Sequence, residues 1–157
     1  MPATNYRQFA KELDDFAEGI AKRAILFQKK VAFMVLGAYL QTSGGIVAQT
    51  GLLQLTPVDT GRAVGNWIVS TGAPRIGTIA EDFGGGAGGE GNRTAAAAKV
   101  QLQATAALSG LRAGQSIFIC NSLPYIVVLN DGATNRTAHH MVERALDNAR
   151  RALGRSA

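Results

Sequence analysis

The chain has 157 residues, of which 46% are hydrophobic and 17% are charged. This length and composition fit one globular domain with a real core, and they exclude a disordered chain. The net charge of +5 comes entirely from the residues after Glu90, because eight basic and eight acidic residues balance up to that point. Such a basic second half faces an acidic partner, an anionic membrane or nucleic acid, or simply provides solubility.

The first 18 residues are predicted to include one helix, and the following segment a second. In residues 5–18 large apolar side chains recur at intervals of three and four with charges between them: Tyr6, Phe9, Leu13 and Phe16. Gly19 is expected to bend or end this helix. A second helix is predicted over 20–40, with the helical region closing at residue 54. After Lys30 this segment is apolar nearly all round, so it requires cover on every side, which neighbouring copies of the protein could supply.

The helical region is expected to end at Thr56-Pro57, because the residue before a proline disfavours the helical basin. The sequence "NWIVSTG" that follows alternates and suits a strand. Residues 72–93 contain "GGGAGGEG" and are predicted to form a long Gly-rich flexible loop. Residues 94–108 are predicted to be helical by propensity, with Thr94 as the N-cap.

The last third is predicted to add two strands and a closing helix. The strands are "QSIFICN" and "LPYIVVLNDG", the second closed by Asn-Asp-Gly turn chemistry. Residues 137–153 form an amphipathic helix followed by Gly154. Its apolar face consists of Ala138, Met141, Val142, Ala145, Leu146 and Ala149. The expected fold class is α+β, with long N-terminal helices, a small mainly antiparallel sheet, the Gly-rich loop and a closing C-terminal helix. One domain, 1–157, would divide into helices at 5–54 and a sheet and helix region at 56–153.

Asp59-Thr60-Gly61 matches the tripeptide of aspartic proteases, but its surroundings favour a structural role. The protease reaction needs two carboxylates that share a proton, so the chain would have to dimerise. A helical region and Pro57 precede the tripeptide where a buried strand is needed, and Arg62 follows where a small residue is usual. We therefore interpret the tripeptide as a corner between a helix and the sheet. Asp59 and Thr60 would accept backbone hydrogen bonds, and Gly61 would permit a tight turn.

Other candidate chemical sites are weak. "GAGGEG" (86–91) formally matches a dinucleotide-binding pattern, but a preceding strand and the acidic residue about 20 positions later are missing. His139 and His140 are adjacent on a predicted helix and have no metal-ligand partner at suitable spacing. Glu81-Asp82 is more typical of solvated loop carboxylates. We expect no catalytic residues, no cofactor and no metal.

The compartment is indicated by the cysteine count and by hydropathy. Cys120 is the single cysteine, which excludes an internal disulfide and is typical of a reducing compartment, and its apolar surroundings predict a buried thiol. The N-terminus lacks the basic-then-apolar order of a secretory signal. The longest apolar run, 31–40, is shorter than the roughly 20 residues of a membrane span.

Nucleic-acid binding is the alternative that the charge distribution raises. The basic side chains that could approach phosphates are Arg93, Lys99, Arg112, Arg136, Arg144, Arg150, Arg151 and Arg155. No aromatic residues interleave with them, and no helix-turn-helix, zinc or single-strand-binding signature is present. The sequence supports at most a weak electrostatic contact.

Three motifs follow one another along the chain: "TPVDTGRAVGNW" (56–67), "IFICNSLPYIVVLNDG" (117–132) and "AHHMVERAL" (138–146). In this order they resemble the head–tail joining proteins of long-tailed bacteriophages, the neck, tail-completion or minor tail protein Z-like family. The matching residues are Pro57, Val58, Asp59, Thr60, Gly61, Arg62 and Trp67, then Asn121, Pro124, Tyr125, Leu129 and Gly132, then Met141, Val142, Ala145 and Leu146. The chain departs from the pattern at Ala63, where a larger apolar residue is common, and at Asn130-Asp131, which replaces a Glu-aromatic pair.

The resemblance implies a virion structural protein rather than an enzyme. Such a protein forms a six-fold homo-oligomeric ring between the portal-side connector and the tail tube, and DNA passes through its lumen. A tail terminator ring that caps the tube is the alternative position. The protein would assemble in the host bacterial cytoplasm, contact no membrane, and meet DNA or a partner ring through Arg93, Lys99, Arg112, Arg136, Arg150 and Arg151. The Gly-rich loop would order on a neighbouring ring.

Overall fold

The computed structural model describes residues 3–38, 40–42, 45–47, 50–58, 60–79 and 89–154. The first half contains helix α1 (Ala3–Leu36), strands β1 (Leu40–Thr42) and β2 (Gly45–Val47), the short helices α2 (Leu52–Leu55) and α3 (Arg62–Gly65), and strand β3 (Ile68–Thr71). The second half contains helix α4 (Glu90–Ser109), strand β4 (Ile117–Cys120), helix α5 (Ile126–Asp131) and helix α6 (Met141–Gly154).

Helix α1 is continuous, so the prediction of two helices separated at Gly19 is wrong. A glycine in a helix interior costs only about 1 kcal/mol relative to alanine, which does not break a helix of 34 residues. The helix also ends earlier than predicted. Gly37 has a φ of 77°, its N–H donates to the Met34 carbonyl at 3.2 Å, and the Ala38 N–H donates to the Phe33 carbonyl at 3.1 Å. This pair of bonds is a Schellman cap, and it satisfies the last carbonyls of α1.

The predicted helix over 20–40, and its extension to residue 54, is replaced beyond Gly37 by a hairpin and a helical turn. Strands β1 and β2 pair antiparallel, with Leu40 opposite Val47. Helix α2 then ends at Thr56, whose backbone N–H donates to the Leu52 carbonyl. The absence of charge in this region reflects burial at residues 51–53 and 56, not one long helix.

The expected α+β class is confirmed, with small antiparallel ladders beside the helices. Strands β3 and β4 are both confirmed and pair antiparallel, from Ile68 opposite Cys120 to Thr71 opposite Ile117. Helix α4 packs against β3, and α1 packs against β4 and α6. The core cluster consists of Ala32, Phe33, Leu36, Ala38, Leu52, Leu53, Val64, Trp67, Val69, Ala96, Val100, Ala104, Leu108, Met141 and Ala145.

The segment 123–132 was predicted as a second strand, and it is instead helix α5. Ile126 and Leu129, three residues apart, pack against the core, whereas Val127 between them is 62% exposed. This spacing suits a helix that buries one side. Gly132 ends the helix with a φ of 83°, and its N–H donates to the Val128 carbonyl at 3.0 Å.

The boundaries of the other two helices also differ from the prediction. Helix α4 begins at Glu90 after Gly89 at the N-cap, so Thr94 lies inside the helix and the predicted loop over 72–93 is shorter. Residues 80–88 of that loop lie outside the described residues. Helix α6 begins at Met141, after His139 and His140, and includes Gly154.

Candidate interaction surfaces

The first motif forms a corner between α2 and β3, and a hydrogen bond between Thr56 and Trp67 stabilises it. The Thr56 hydroxyl is fully buried, donates to the Leu52 carbonyl at 2.6 Å and accepts the Trp67 indole N–H at 2.8 Å. A buried indole N–H requires an acceptor, and here the acceptor is the residue that ends α2. Trp67 therefore ties the start of β3 to the end of α2, and Pro57 and Val58 continue the chain from there.

The predicted turn at Gly61 is confirmed. Gly61 has a φ of 81° and precedes α3, and its carbonyl accepts the Gly65 N–H at 2.8 Å. The Thr60 hydroxyl accepts the Arg62 N–H at 3.4 Å, which is a long local bond of the kind that supports turns. Asp59 lies outside the described residues. A β-branched residue at Gly61 would have to adopt the left-handed conformation, which costs about 1–3 kcal/mol.

The second motif lies directly against the first. The Asn121 side-chain amide donates to the Ala63 carbonyl at 2.9 Å, which joins the end of β4 to α3. A cavity of about 290 Å³ opens at this junction. It is lined by Pro57, Val58, Thr60, Arg62, Ala63, Tyr125, Leu129 and Arg136. We call it the motif cleft. Two exposed arginines, Arg62 and Arg136, line the motif cleft, so basic side chains lie next to both motifs here.

The third motif divides between the core and a second, larger depression. Met141 and Ala145 are buried in the core, while Val142 and Leu146 line a groove of about 480 Å³. The other lining residues come from α1, α2 and the β3–β4 side: Phe27, Gln28, Val31, Ala32, Val35, Leu52, Trp67, Ile117 and Ile119. We call this depression the apolar groove, since Gln28 is the one polar residue among the described residues that line it.

Arg93 has a structural position within the fold. Its Nη1 lies 2.8 Å from the carbonyl oxygens of Leu53 and Gln54 and 2.9 Å from that of Thr56. The guanidinium of α4 therefore caps the C-terminal end of α2, where carbonyl groups need donors. These bonds account for the half-buried Arg93 without any contact to DNA, although the sequence placed it among the DNA-facing residues.

The remaining basic residues of that group lie on several elements. Lys99, Arg112, Arg136, Arg150 and Arg151 are exposed. The Arg150 guanidinium lies 3.7 Å from the Asp147 carboxylate one helical turn away. Arg155 lies outside the described residues.

The other candidate sites include the histidine pair, Cys120 and two stretches of the Gly-rich loop. Within the described ranges, no group of three or more His, Cys, Asp or Glu side chains could hold a metal ion. His139 and His140 are exposed and precede α6, so their predicted position on a helix is wrong. Cys120 is half-buried rather than buried. Glu81, Asp82 and residues 86–88 of "GAGGEG" lie outside the described residues.

The length and hydropathy of the helices bear on the prediction that the chain does not span a membrane. None of the helices formed by the described residues is both long enough and apolar enough to cross a bilayer.

The first two thirds of α1 carry an apolar face that the described part of the chain leaves exposed. We call residues 5–27 the arm. Most of its side chains from 5 to 24 are exposed, and Gly19 and Ala21 are half-buried. The exposed fractions along one face are 79% for Tyr6, 57% for Phe9, 51% for Leu13, 67% for Phe16, 52% for Ile20 and 56% for Phe27. We call these six residues the stripe. The sequence identified the first four of them as one face, but it placed a bend or end of the helix at Gly19, and periodicity could not show that nothing within the described chain covers them.

The polar side of the arm carries a local ion pair. The Lys22 ammonium lies 2.7 Å from the Glu18 carboxylate, and both side chains are more than half exposed. The hydrogen bond from Lys22, followed by its charge, lowers the pKa of Glu18 below its usual value. The pair is spaced to support the helix locally and does not cover the apolar stripe.

Comparison with known proteins yields no relative. No protein-family model matches the chain, and neither a curated protein nor a solved structure matches it significantly.

Proposed function

We propose that the protein is a structural component of a long-tailed bacteriophage virion that forms a ring in the neck. The ring joins the connector of the DNA-filled head to the tail tube, and DNA passes through its lumen. The observation that carries this proposal is the order of three motifs, at 56–67, 117–132 and 138–146, which resembles that of head–tail joining proteins.

The packing of the motifs supports a structural role for them. Trp67 and Thr56 are bonded to each other in the interior, and Asn121 of the second motif is bonded to Ala63 in the first. Met141 of the third motif is fully buried in the same core. Residues that stabilise a shared framework in this way are expected in a protein whose work is assembly.

The uncovered surfaces support membership of an assembly. A ring uses heterologous contacts, in which each subunit presents two different faces to its two neighbours. The chain offers a convex apolar stripe on the arm and a concave apolar groove on the body. We propose a homo-oligomeric ring of six subunits, stacked between the head connector and the tail terminator or tube.

Electron microscopy of particles made without this protein tests the position in the virion. The neck proposal requires separate DNA-filled heads and tails of normal length. Tails of uncontrolled length would instead place the protein at the tail terminator, because an uncapped tube continues to grow. Intact infectious particles would contradict both positions.

Contact with the passing DNA is a separate part of the proposal. The exposed basic residues after Glu90, together with Arg62 at the motif cleft, would meet phosphates without reading sequence. Binding of duplex DNA to the assembled protein should then weaken steeply as salt rises. Binding that does not depend on salt, or no binding, would remove DNA from the list of partners and leave the ring proposal standing.

A further inference from the structure

We infer that the apolar groove is the docking site for the arm of a second copy of this chain. This inference deepens the proposed function by naming the surfaces that join neighbouring subunits, and it rests on that proposal only for the closure of the contacts into a ring.

The first argument is the area of the uncovered stripe. An aromatic side chain carries about 150–250 Å² of surface, and the six stripe residues are between 51% and 79% exposed. The stripe therefore leaves roughly 700 Å² of apolar surface in contact with water. This exceeds the roughly 300–600 Å² of the largest apolar patch on a typical monomer. It also approaches the roughly 800 Å² that each partner of a stable complex buries.

The second argument is that the stripe and the groove form one face. At about 100° per residue, Phe9, Leu13, Phe16, Ile20 and Phe27 fall within roughly 60° of one another around α1. Val31 and Val35 continue the same side of the helix and line the groove. The ten charged residues of α1 fall outside this arc. A helix laid along the face of one copy would thus meet an unbroken apolar surface that ends in a depression.

The third argument is complementarity of shape and of apolar character. Helix-in-groove binding uses side chains at three- and four-residue spacing as anchors, and Tyr6, Phe9, Leu13 and Phe16 have that spacing. The groove, of about 480 Å³, offers Val142 and Leu146 on one wall and Phe27 on another. Because the arm of one copy would enter the groove of the next, the contact is heterologous and repeats from subunit to subunit.

A membrane surface is a less suitable occupant of the stripe. Helices that lie on anionic bilayers carry mostly Lys and Arg on their polar face. The polar face of the arm carries four basic and four acidic residues: Arg7, Lys11, Lys22 and Arg23, and Glu12, Asp14, Asp15 and Glu18. A flat bilayer also cannot fill the groove into which the stripe leads.

The test measures self-association of the purified full-length chain by analytical ultracentrifugation over a range of concentrations. Phe16→Lys disrupts the arm and Leu146→Lys the groove, and both side chains are exposed enough, at 67% and 41%, for the subunit to fold. Leu26→Lys is the matched control. Leu26 is 66% exposed on the same helix but lies about 120° from the middle of the stripe. We expect the Kd for association to rise about 10- to 100-fold for the first two variants and less than about twofold for the control.

Mixing the two disruptive variants separates arm-in-groove docking from pairing of arms with arms. In an equimolar mixture the intact arm of Leu146→Lys can enter the intact groove of Phe16→Lys, and the pair cannot extend further. We expect heterodimers in the mixture and monomers in each variant alone. Full association of Leu146→Lys by itself would overturn the inference, because arms would then be pairing without the groove.

Three further results would also overturn the inference. A wild-type chain that stays monomeric at every concentration has no second copy as its occupant. A monomer whose arm binds vesicles of anionic phospholipid, with binding lost in Phe16→Lys, has a membrane as its occupant. A wild-type chain that assembles while Phe16→Lys assembles equally well refutes arm docking but leaves the neck proposal intact, since electron microscopy of particles decides that proposal separately.

Discussion

Replacing Arg93 by methionine should destabilise the subunit, because the guanidinium is the donor that closes the end of α2. Its Nη1 lies within 2.9 Å of three backbone carbonyl oxygens, those of Leu53, Gln54 and Thr56. Methionine retains much of the apolar stem but offers no hydrogen-bond donor. The three carbonyls would then lose this partner, and α4 would lose its polar link to α2.

The size of the expected stability loss follows from the number of hydrogen atoms that Arg93 Nη1 can donate. Nη1 carries two hydrogens, so at most two of the three contacts are strong at any moment. Hydrogen bonds from a charged donor contribute about 1.5–3 kcal/mol each, and partial exposure of the site lowers this figure. We expect the free energy of unfolding to fall by about 2–4 kcal/mol. For a chain of this length the melting temperature should fall by roughly 5–15 °C.

Urea and thermal unfolding, monitored by circular dichroism at low protein concentration, measure this loss. Arg112→Met is the matched control, because Arg112 is exposed, and it should change the unfolding free energy by less than about 0.5 kcal/mol. Arg93→Lys should fall between the two, since lysine keeps the charge but not the planar geometry. Equal stability of Arg93→Met and Arg112→Met would refute the capping role. DNA binding lost without a loss of stability would indicate a phosphate contact instead.

Three other predictions concern the helix cap, a buried amide and the ion pair on the arm. Gly37→Ala should lower the free energy of unfolding, measured in urea, by about 3 kcal/mol or more, because φ is 77° and a Cβ would lie 2.7 Å from a backbone atom. Gly110→Ala is the control and should be nearly neutral, because the space around Gly110 is open. Equal effects of the two substitutions would refute the argument. Asn66→Ala should lower the free energy of unfolding by about 2–4 kcal/mol, because the buried Asn66 amide donates two hydrogen bonds and accepts one, from the Ile79 N–H at 2.6 Å. Unchanged hydrogen exchange of the Ile79 N–H in this variant would contradict the prediction. Lys22→Ala should return the pKa of Glu18 toward its usual value by NMR titration. Because that pKa is lowered in the fold, any stabilisation from the pair is present at neutral pH and is lost as the pH falls through the folded-state pKa of Glu18.

The elements that the sequence predicted well are those whose burial follows their own periodicity. Strands β3 and β4 alternate or run apolar between turn residues, and α6 repeats its buried side chains every four residues. Helix α5 was missed because a short apolar run does not distinguish a strand from a helix packed on one side. The prediction of a break at Gly19 was wrong, because one glycine costs a helix only about 1 kcal/mol, which is too little to interrupt a helix as long as α1. Gly37 was underrated, although a glycine after an apolar helical run is the usual sequence signal of a Schellman cap.

The candidate surfaces depended on contacts that a single sequence does not reveal. The bond from Asn121 to Ala63 joins residues 58 positions apart, and the bond from Arg93 to Leu53 joins residues 40 positions apart. Charge alone placed Arg93 with the DNA-facing residues, and only its carbonyl partners identify it as a cap. The spacing of the residues predicted the first four members of the stripe, but its continuation past Gly19 was not predicted, and its exposure depends on where the rest of the chain packs. The apolar groove likewise requires α1, β4 and α6 to meet, which no local pattern predicts.

In the docking arrangement that we infer, the arm would link the folding of each subunit to the number of its neighbours. The first turns of α1 are exposed within the described chain, so they are held mainly by their own backbone bonds and local pairs, and such helices are marginal in water. In dilute solution the first turns of α1 should therefore fray, exchange their amide hydrogens quickly and be open to proteases. Binding in a neighbour's groove would protect the same turns, because a partner that binds only the folded form stabilises it, and more so as its concentration rises. A subunit without neighbours would then be degraded first, so the exposed helix would act as a quality control on assembly.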